Sequence, residues 1–284
     1  MVDRKEVKLQ IGTNVIQTGA EYDWILTSIK GDDYMDVQVK IEDYADSDGG
    51  YKKSIRYLPR YIDMKIKSKV ASDELINATQ ILLHSYIDSK ADSIFTEYKN
   101  GVVRIGYGYI ADVKKVDGDH WYDPPYIKVT FVMPDPWYVG EQITNDFASF
   151  TPVMTFPLSF IASVGLTVSV ASFGNEITFD YAGNEGAGFL MTLTATGACV
   201  NPTIANSSGR YIKVLKTLAD GDIITISTIK GDKYVRCNGT TCKYDRLSIP
   251  FFGLEVGSNT LTVSADSGID NITKSLVYRE RFRG

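Results

Sequence analysis

The stretch Ile94-Phe95-Thr96-Glu97-Tyr98-Lys99-Asn100-Gly101-Val102-Val103-Arg104-Ile105-Gly106-Tyr107-Gly108-Tyr109-Ile110 reads as two strands around a tight turn. β-Branched and aromatic residues fill both flanks, as pleated and half-buried segments require. Asn-Gly is the favoured pair for a type I′ hairpin because both central residues need positive φ. The stretch predicts a β-hairpin with arms at 94–98 and 102–110.

Upstream lies the one segment with helical spacing. Ser72 suits an N-cap, Asp73 and Glu74 suit the positive end of a helix dipole, and Leu75, Ile76, Thr79, Leu82, Leu83, Tyr86 and Ile87 fall on one stripe, which predicts a helix at about 73–90. Ile81 falls off that stripe and is a candidate for contact with a neighbouring subunit. Further upstream, 60–68 alternates apolar and polar residues, and runs at 24–29 and 35–41 flank the turn-like Lys30-Gly31-Asp32-Asp33, with a polar loop at 46–50. Downstream, a strand at 126–133 is stopped by Pro134 and Pro136. Periodicity then fades, and a linker is expected at 141–155, between an N-terminal β domain at 1–140 and a second domain at 156–284. The second half holds only short strand-like runs between Gly, Asn, Asp and Pro clusters, which predicts a jelly-roll or galectin-like β-sandwich. The segment 228–234 resembles 28–34, which fits shared turn chemistry better than duplication.

A chain of 284 residues has room for two cores, and 44% apolar with 23% charged residues lies in the ordinary globular range. The net charge of −5 offers no broad attraction for phosphate backbones. No secretory signal and no membrane-spanning run is read, so the expectation is a chain made in the cytoplasm that stays soluble. The sequons at Asn77, Asn206, Asn238 and Asn271 then read as chance matches.

Convergent chemical groups are sparse. His84 and His120 are the only histidines, and neither sits in a catalytic or metal-binding motif. Glu97, Asp112, Asp117, Asp119 and Asp123 lack the spacing of an acid/base pair and read as solvated. The Gly183-Asn184-Glu185-Gly186-Ala187-Gly188 segment is a flexible turn without the Lys and Ser/Thr of a phosphate loop. Cys237 and Cys242 have three readings: free thiols, a hairpin-spanning disulfide, or half of a metal site that lacks its second pair. Trp121, Tyr122, Trp137 and Tyr138 suit a core, an interface or sugar stacking. No catalytic, cofactor-binding or metal residue is assigned, and no cofactor is expected.

The second half carries a string of segments in a particular order. It runs from Asn201-Pro202-Thr203-Ile204-Ala205-Asn206 through Gly209-Arg210-Tyr211-Ile212 to Leu218-Ala219-Asp220-Gly221-Asp222-Ile223-Ile224-Thr225-Ile226. Val235-Arg236-Cys237-Asn238-Gly239, then Phe252-Gly253-Leu254-Glu255-Val256-Gly257-Ser258-Asn259-Thr260-Leu261, and Val277-Tyr278-Arg279-Glu280-Arg281-Phe282-Arg283-Gly284 follow. This string resembles the C-terminal domain of siphophage distal tail proteins. Asp135-Pro136-Trp137-Tyr138 after a long strand is similar to that family's ring-forming N-terminal domain. The sequence departs from the family at Cys242 and lacks a Pro before Gly257.

The resemblance implies a structural, non-enzymatic baseplate hub in the virion, assembled in the bacterial cytoplasm. It implies a ring, usually of six subunits, whose N-terminal domains surround a channel for DNA in transit. Expected partners are further copies of the chain, the tail tube protein, a tail-tip or tail-associated lysin protein, and receptor-binding or baseplate proteins. No membrane is expected among them. A net negative chain suggests a lumen poor in Lys and Arg. The competing readings are a carbohydrate-binding module of a tail tip or cell-surface protein, and a tail-tip hydrolase.

Overall fold

A computed structural model describes residues 6–69, 73–89, 91–99, 101–117, 125–152, 169–246 and 251–284. The chain is mostly β, as expected, and divides into two units: Met1–Glu141 with Arg281–Gly284, and Gln142–Glu280. The second unit is thus inserted in the sequence of the first.

The first unit contains β1 (Glu6–Ile11), β2 (Asn14–Gln17), β3 (Trp24–Lys30), β4 (Val37–Asp43), β5 (Gly50–Tyr57), β6 (Arg60–Ser68), α1 (Asp73–Ser89), β7 (Ser93–Lys99), β8 (Val102–Val116), β9 (Tyr126–Met133) and the start of β10 (Tyr138–Asp146), a strand that runs across the division at Glu141. β8 is the organising strand. Its first half pairs with β7 and its second half with β9, so the order β2-β1-β7-β8 continues as β8-β9-β6-β3. Lys99 opposes Val102 across the hairpin turn and Gly101 has φ 76°, the conformation the Asn-Gly pair calls for; Asn100 itself lies outside the described residues. Alternation puts Ile62, Met64 and Ile66 of β6 with Ile127, Val129 and Phe131 of β9 on one buried face.

Helix α1 packs chiefly on β8 through Ile76 and Leu83, both buried, and Lys115 of β8 donates to Asn77 Oδ1 at 3.0 Å. Ser72 lies outside the described residues, as do the side chains of Leu82, Tyr86 and Ile87. Strands β4 and β5 form a two-stranded hairpin joined to no other strand among the described residues. The sequence reading found β4 but not β5. Tyr51-Lys52-Lys53-Ser54-Ile55-Arg56-Tyr57 has no clean alternation, because a bulge opposite Lys40 and Ile41 shifts its register.

In the second unit, Phe189–Ala195 lies between Ile272–Phe282 and Ile223–Ser227, which is followed by Tyr234–Cys237. A second antiparallel sheet runs Glu176–Tyr181, Gly257–Ser264, Thr203–Asn206, Tyr211–Val214 and Tyr244–Arg246. Met191, Leu193, Ile224 and Leu276 of one sheet share a core with Ile204, Ile212, Leu261 and Val263 of the other, so the unit is a β-sandwich. Of the expected linker at 141–155, residues 141–146 belong to β10 and Ala148–Pro152 is a strand that pairs with Ser169–Phe173, while 153–155 lie outside the described residues. Gly140, Asn145 and Pro152 interrupt the hydrophobic pattern there without ending the ladders. Gly31 and Gly231 share positive φ, 85° and 88°, which accounts for the likeness of 28–34 to 228–234.

Leu83→Ala should destabilise the first unit by about 2–5 kcal/mol, since the side chain is fully buried and the helix can collapse only in part. Urea unfolding checks this; a midpoint unchanged from wild type would remove α1 from the core.

Candidate functional site

Residues far apart in the sequence converge on one side chain of the first unit. Arg60 opens β6 and is 2% exposed. Its Nε donates to Pro136 O at 2.9 Å, Nη1 to Asp32 O at 2.6 Å and Gly31 O at 3.2 Å, and Nη2 to Arg283 O. The planar fork of a guanidinium can serve several carbonyls at once, which an ammonium cannot. The guanidinium carbon lies 4.6 Å from the centre of the Tyr138 ring. Burial pushes the pKa of Arg60 down, and the Tyr138 hydroxyl, Asp32 and Glu97 oppose that shift.

The segments so gathered are the turn after β3, the Asp135-Pro136-Trp137-Tyr138 motif and Arg281–Gly284. Arg281 Nη2 sits 2.7 Å from Asp135 Oδ2, and the guanidinium groups of Arg281 and Arg283 lie 5.3 and 5.8 Å from the Trp137 ring centre. Tyr57 meets Trp137 edge-on at 5.2 Å. Two glycines permit the approach. A Cβ on Gly31 would meet Tyr61 O at 2.0 Å, and one on Gly284 would meet Asp33 O at 2.0 Å. With its neighbours Tyr57, Arg281 and Arg283 in place, Trp137 is 8% exposed and presents little ring surface for stacking on a sugar.

Glu97 departs from the expectation of a solvated carboxylate. It shares the inward face of β7 with Ser93 and Phe95, is 0% exposed, and stands opposite Arg104 in the register. It favours the charged form of Arg60 and raises the pKa of Tyr138, whose main cause of elevation is burial. Single-sequence reading misses this, because nothing local marks Glu97 as inward once its hairpin is read as half exposed.

The motif residues of the second unit act as turn staples. Asp222 accepts from Ala219 N at 3.0 Å and from Asn238 Nδ2 at 2.7 Å, while Asn238 Oδ1 accepts from Ile223 N at 2.8 Å. The backbone bond to Ala219, with Asn238, holds the Asp222 carboxyl below the usual range. Asn259 ties Glu255 and Gly257, Asn201 Nδ2 donates to Asp266 at 2.8 Å, and Asn206 Oδ1 accepts from Arg210 N at 3.0 Å. Asn238 and Gly239 both have positive φ, 51° and 80°, as a type I′ turn requires. Beyond that turn Cys237 and Cys242 are joined by a disulfide with Cα atoms 5.7 Å apart, the hairpin-spanning arrangement among the three sequence readings; Cys199 is free and buried. The segment 183–188, expected to be flexible, is fastened by the Tyr181 hydroxyl to Glu185 O at 2.7 Å and by backbone bonds between Ala187 and Leu254.

Among the remaining candidates, Ile81 is 71% exposed and His84 is exposed on α1. Asp112 pairs with Lys114 at 2.9 Å. His120, Asp119, Asp123, Trp121 and Tyr122 lie outside the described residues. Among the described residues no group of three or more His, Cys, Asp or Glu could hold a metal ion, and no helix is long and apolar enough to cross a membrane. A concavity edged by Gln10, Asp92, Ser93 and Tyr107 brings a single carboxylate and no nucleophile–base pair together.

Residues 182–282 match the family described as siphovirus-type tail component, C-terminal domain. Over those residues the chain is similar to that tail domain. The resemblance read from 201–284 is thereby borne out, and the match takes in every turn staple described above. No curated protein matches the chain. Among solved structures, the fold is similar to that of the SPP1 Dit protein, a hub of the adsorption apparatus in phages that infect Gram-positive bacteria, at 11% identity over 97% of this chain and 99% of that one, with a TM-score of 0.68. A chain of the phage p2 baseplate in its activated conformation aligns over 97% of this chain and 98% of its own at 12% identity, with a TM-score of 0.48.

Arg60→Lys should lower stability by about 3–5 kcal/mol, because one ammonium leaves buried carbonyls without donors. Hydrogen exchange should report lost protection at 281–284; unchanged protection there would mean that Arg60 does not hold the segment. Tyr138→Phe tests the electrostatics. Below about pH 10 the Tyr138 hydroxyl keeps its proton in both states, and above it the unfolded chain loses the proton while the native one retains it. Wild type should therefore lose stability relative to the Phe variant as pH rises from 9 to 11 (roughly, around the reference Tyr pKa), read as a widening gap between urea midpoints.

Proposed function

We propose that this chain is a structural subunit of the distal tail of a siphophage or a prophage-derived tail, where it forms the hub between the tail tube and the baseplate or receptor-binding apparatus. The observation that carries the reading is the tail-component match over 182–282, in the same chain as an N-terminal β unit built around one helix and the Asp135-Pro136-Trp137-Tyr138 motif. The fold shared with SPP1 Dit, whose description is that of a hub protein, supports it.

In this reading the first units close into a ring of six around a channel and the second units face outward to tail-tip or receptor-binding proteins. The role needs no catalysis. What it needs is rigid turns and self-complementary surfaces, and the residues that carry the family likeness are turn residues. The net charge of −5 per chain suits a passage that does not grip phosphates. The virion would hold the protein at the tail tip, after assembly in the host cytoplasm.

Negative-stain electron microscopy of the purified chain should show rings with six-fold symmetry, and antibody against it should label the tail end distal to the capsid. Label confined to the capsid, or to the whole length of the tube, would overturn the assignment.

A further inference from the structure

The β4–β5 hairpin has two unlike faces. In the register, Val37 opposes Tyr57, Val39 opposes Ile55, and Ile41 follows on the same side, whereas Gln38 with Arg56 and Lys40 with Ser54 make the other side. The five residues of the apolar side are 38–63% exposed. A two-stranded ribbon is marginal in water by itself, and an apolar face left open marks a surface awaiting cover. Its tip is acidic, with Asp43, Asp46 and Asp48 all exposed.

Elsewhere in the same unit, the face of β3-β6-β9-β8 turned away from the core bears the opposite charge. Lys65, Lys128 and Lys114 stand side by side on three adjacent strands, with Lys30 and Lys67 on the same face. Asp63 and Asp112 answer only part of this: Lys128 lies 3.1 Å from Asp63 and Lys114 2.9 Å from Asp112. Counting these seven, five positive against two negative charges leave the face at +3. Like charges directly opposite across strands, about 4.8 Å apart, destabilise a sheet, so folding alone does not call for this row. Tyr61 and Tyr109, 58% and 43% exposed, flank it and offer aromatic surface to an apolar neighbour.

We infer that these two surfaces are the two sides of one contact between copies of this chain: the acidic-tipped apolar hairpin of one copy lies on the lysine-bearing sheet face of the next. The contact joins different surfaces, so each copy keeps one of each open for a further copy, the arrangement from which rings close. It would also cover the lysines with protein and keep them from a channel. The inference rests on the ring reading above and specifies its interface.

The test uses the full chain and light scattering after size exclusion. Replacing Asp43, Asp46 and Asp48 by Lys, or Lys65, Lys114 and Lys128 by Glu, should each reduce the wild-type oligomer to single chains. An equimolar mixture of the two variants should recover multi-subunit species, since each then meets a complementary face. The neutral sets Asp43→Asn with Asp46→Asn and Asp48→Asn, and Lys65→Gln with Lys114→Gln and Lys128→Gln, disturb the fold less and should weaken self-association about tenfold. Oligomers of wild-type mass from both neutral sets and from either folded reversal variant would overturn this contact while leaving a ring intact. A wild-type chain that stays monomeric at micromolar concentration would overturn both.

Discussion

A single buried guanidinium sets the constraint on which the first unit depends. Arg60 is removed from water, so each of its N–H groups must be met inside the protein, and the acceptors are backbone carbonyls from three separate segments. Backbone carbonyls are fixed by the path of the chain. Satisfying the guanidinium therefore fixes the turn at Gly31-Asp32, the entry to β10 at Pro136 and the run of Arg281–Gly284 together. Glu97 is buried in the same unit and favours the charged guanidinium, after the larger contributions of Tyr138 and Asp32. The sequence motifs at 135–138 and 281–284 thus stand on one physical requirement although about 145 positions separate them.

The second unit is stabilised by a different device repeated many times. Its sheets are short, and the chain reverses between them at turns that need positive φ or side-chain carbonyls in the place of backbone ones. Asn and Asp answer both needs, since they tolerate the left-handed region and accept or donate next to the main chain. The Asp222–Asn238 bond shows why such residues recur at fixed spacing: it ties two successive turns to one another, so moving either turn along the sequence would break it. A family string made of these residues records where a chain turns, which explains how it can be specific without naming any chemistry.

These two devices differ in how far they could be read from the residues alone. Turn signals are local. Asn238-Gly239, Asp220-Gly221-Asp222 and the arms around Gly101 were each legible, as was the helix from the spacing of Ile76, Thr79 and Leu83. The strand Tyr126–Met133 was legible to its last residue because Pro134 cannot donate to a ladder. Arg60 and Glu97 were not. Each is charged at an alternating strand position, and only the tertiary partner decides whether that position faces water or the interior. Likewise β5 hid behind its bulge, and the pairing of Cys237 with Cys242 stayed open because sequence spacing alone does not fix the directions of two Cβ atoms.

The apolar side of β4–β5 is the place where consistency across levels fails in the single chain. In β1, β6 and β9 alternation sends a whole apolar set inward; among the described residues Val37, Val39 and Ile41 of β4 all stay exposed. A monomer under selection for solubility would replace them with polar residues at small cost in β-propensity, since Thr serves an exposed strand as well as Val does. Retaining them, next to a tip bearing three exposed carboxylates, makes sense if the hairpin's interior is supplied by another molecule. The bulge at Lys40 and Ile41 adds to this. It twists the ribbon and upsets simple edge-to-edge pairing, so that the exposed strands present a face to a partner instead of an open ladder to any passing strand.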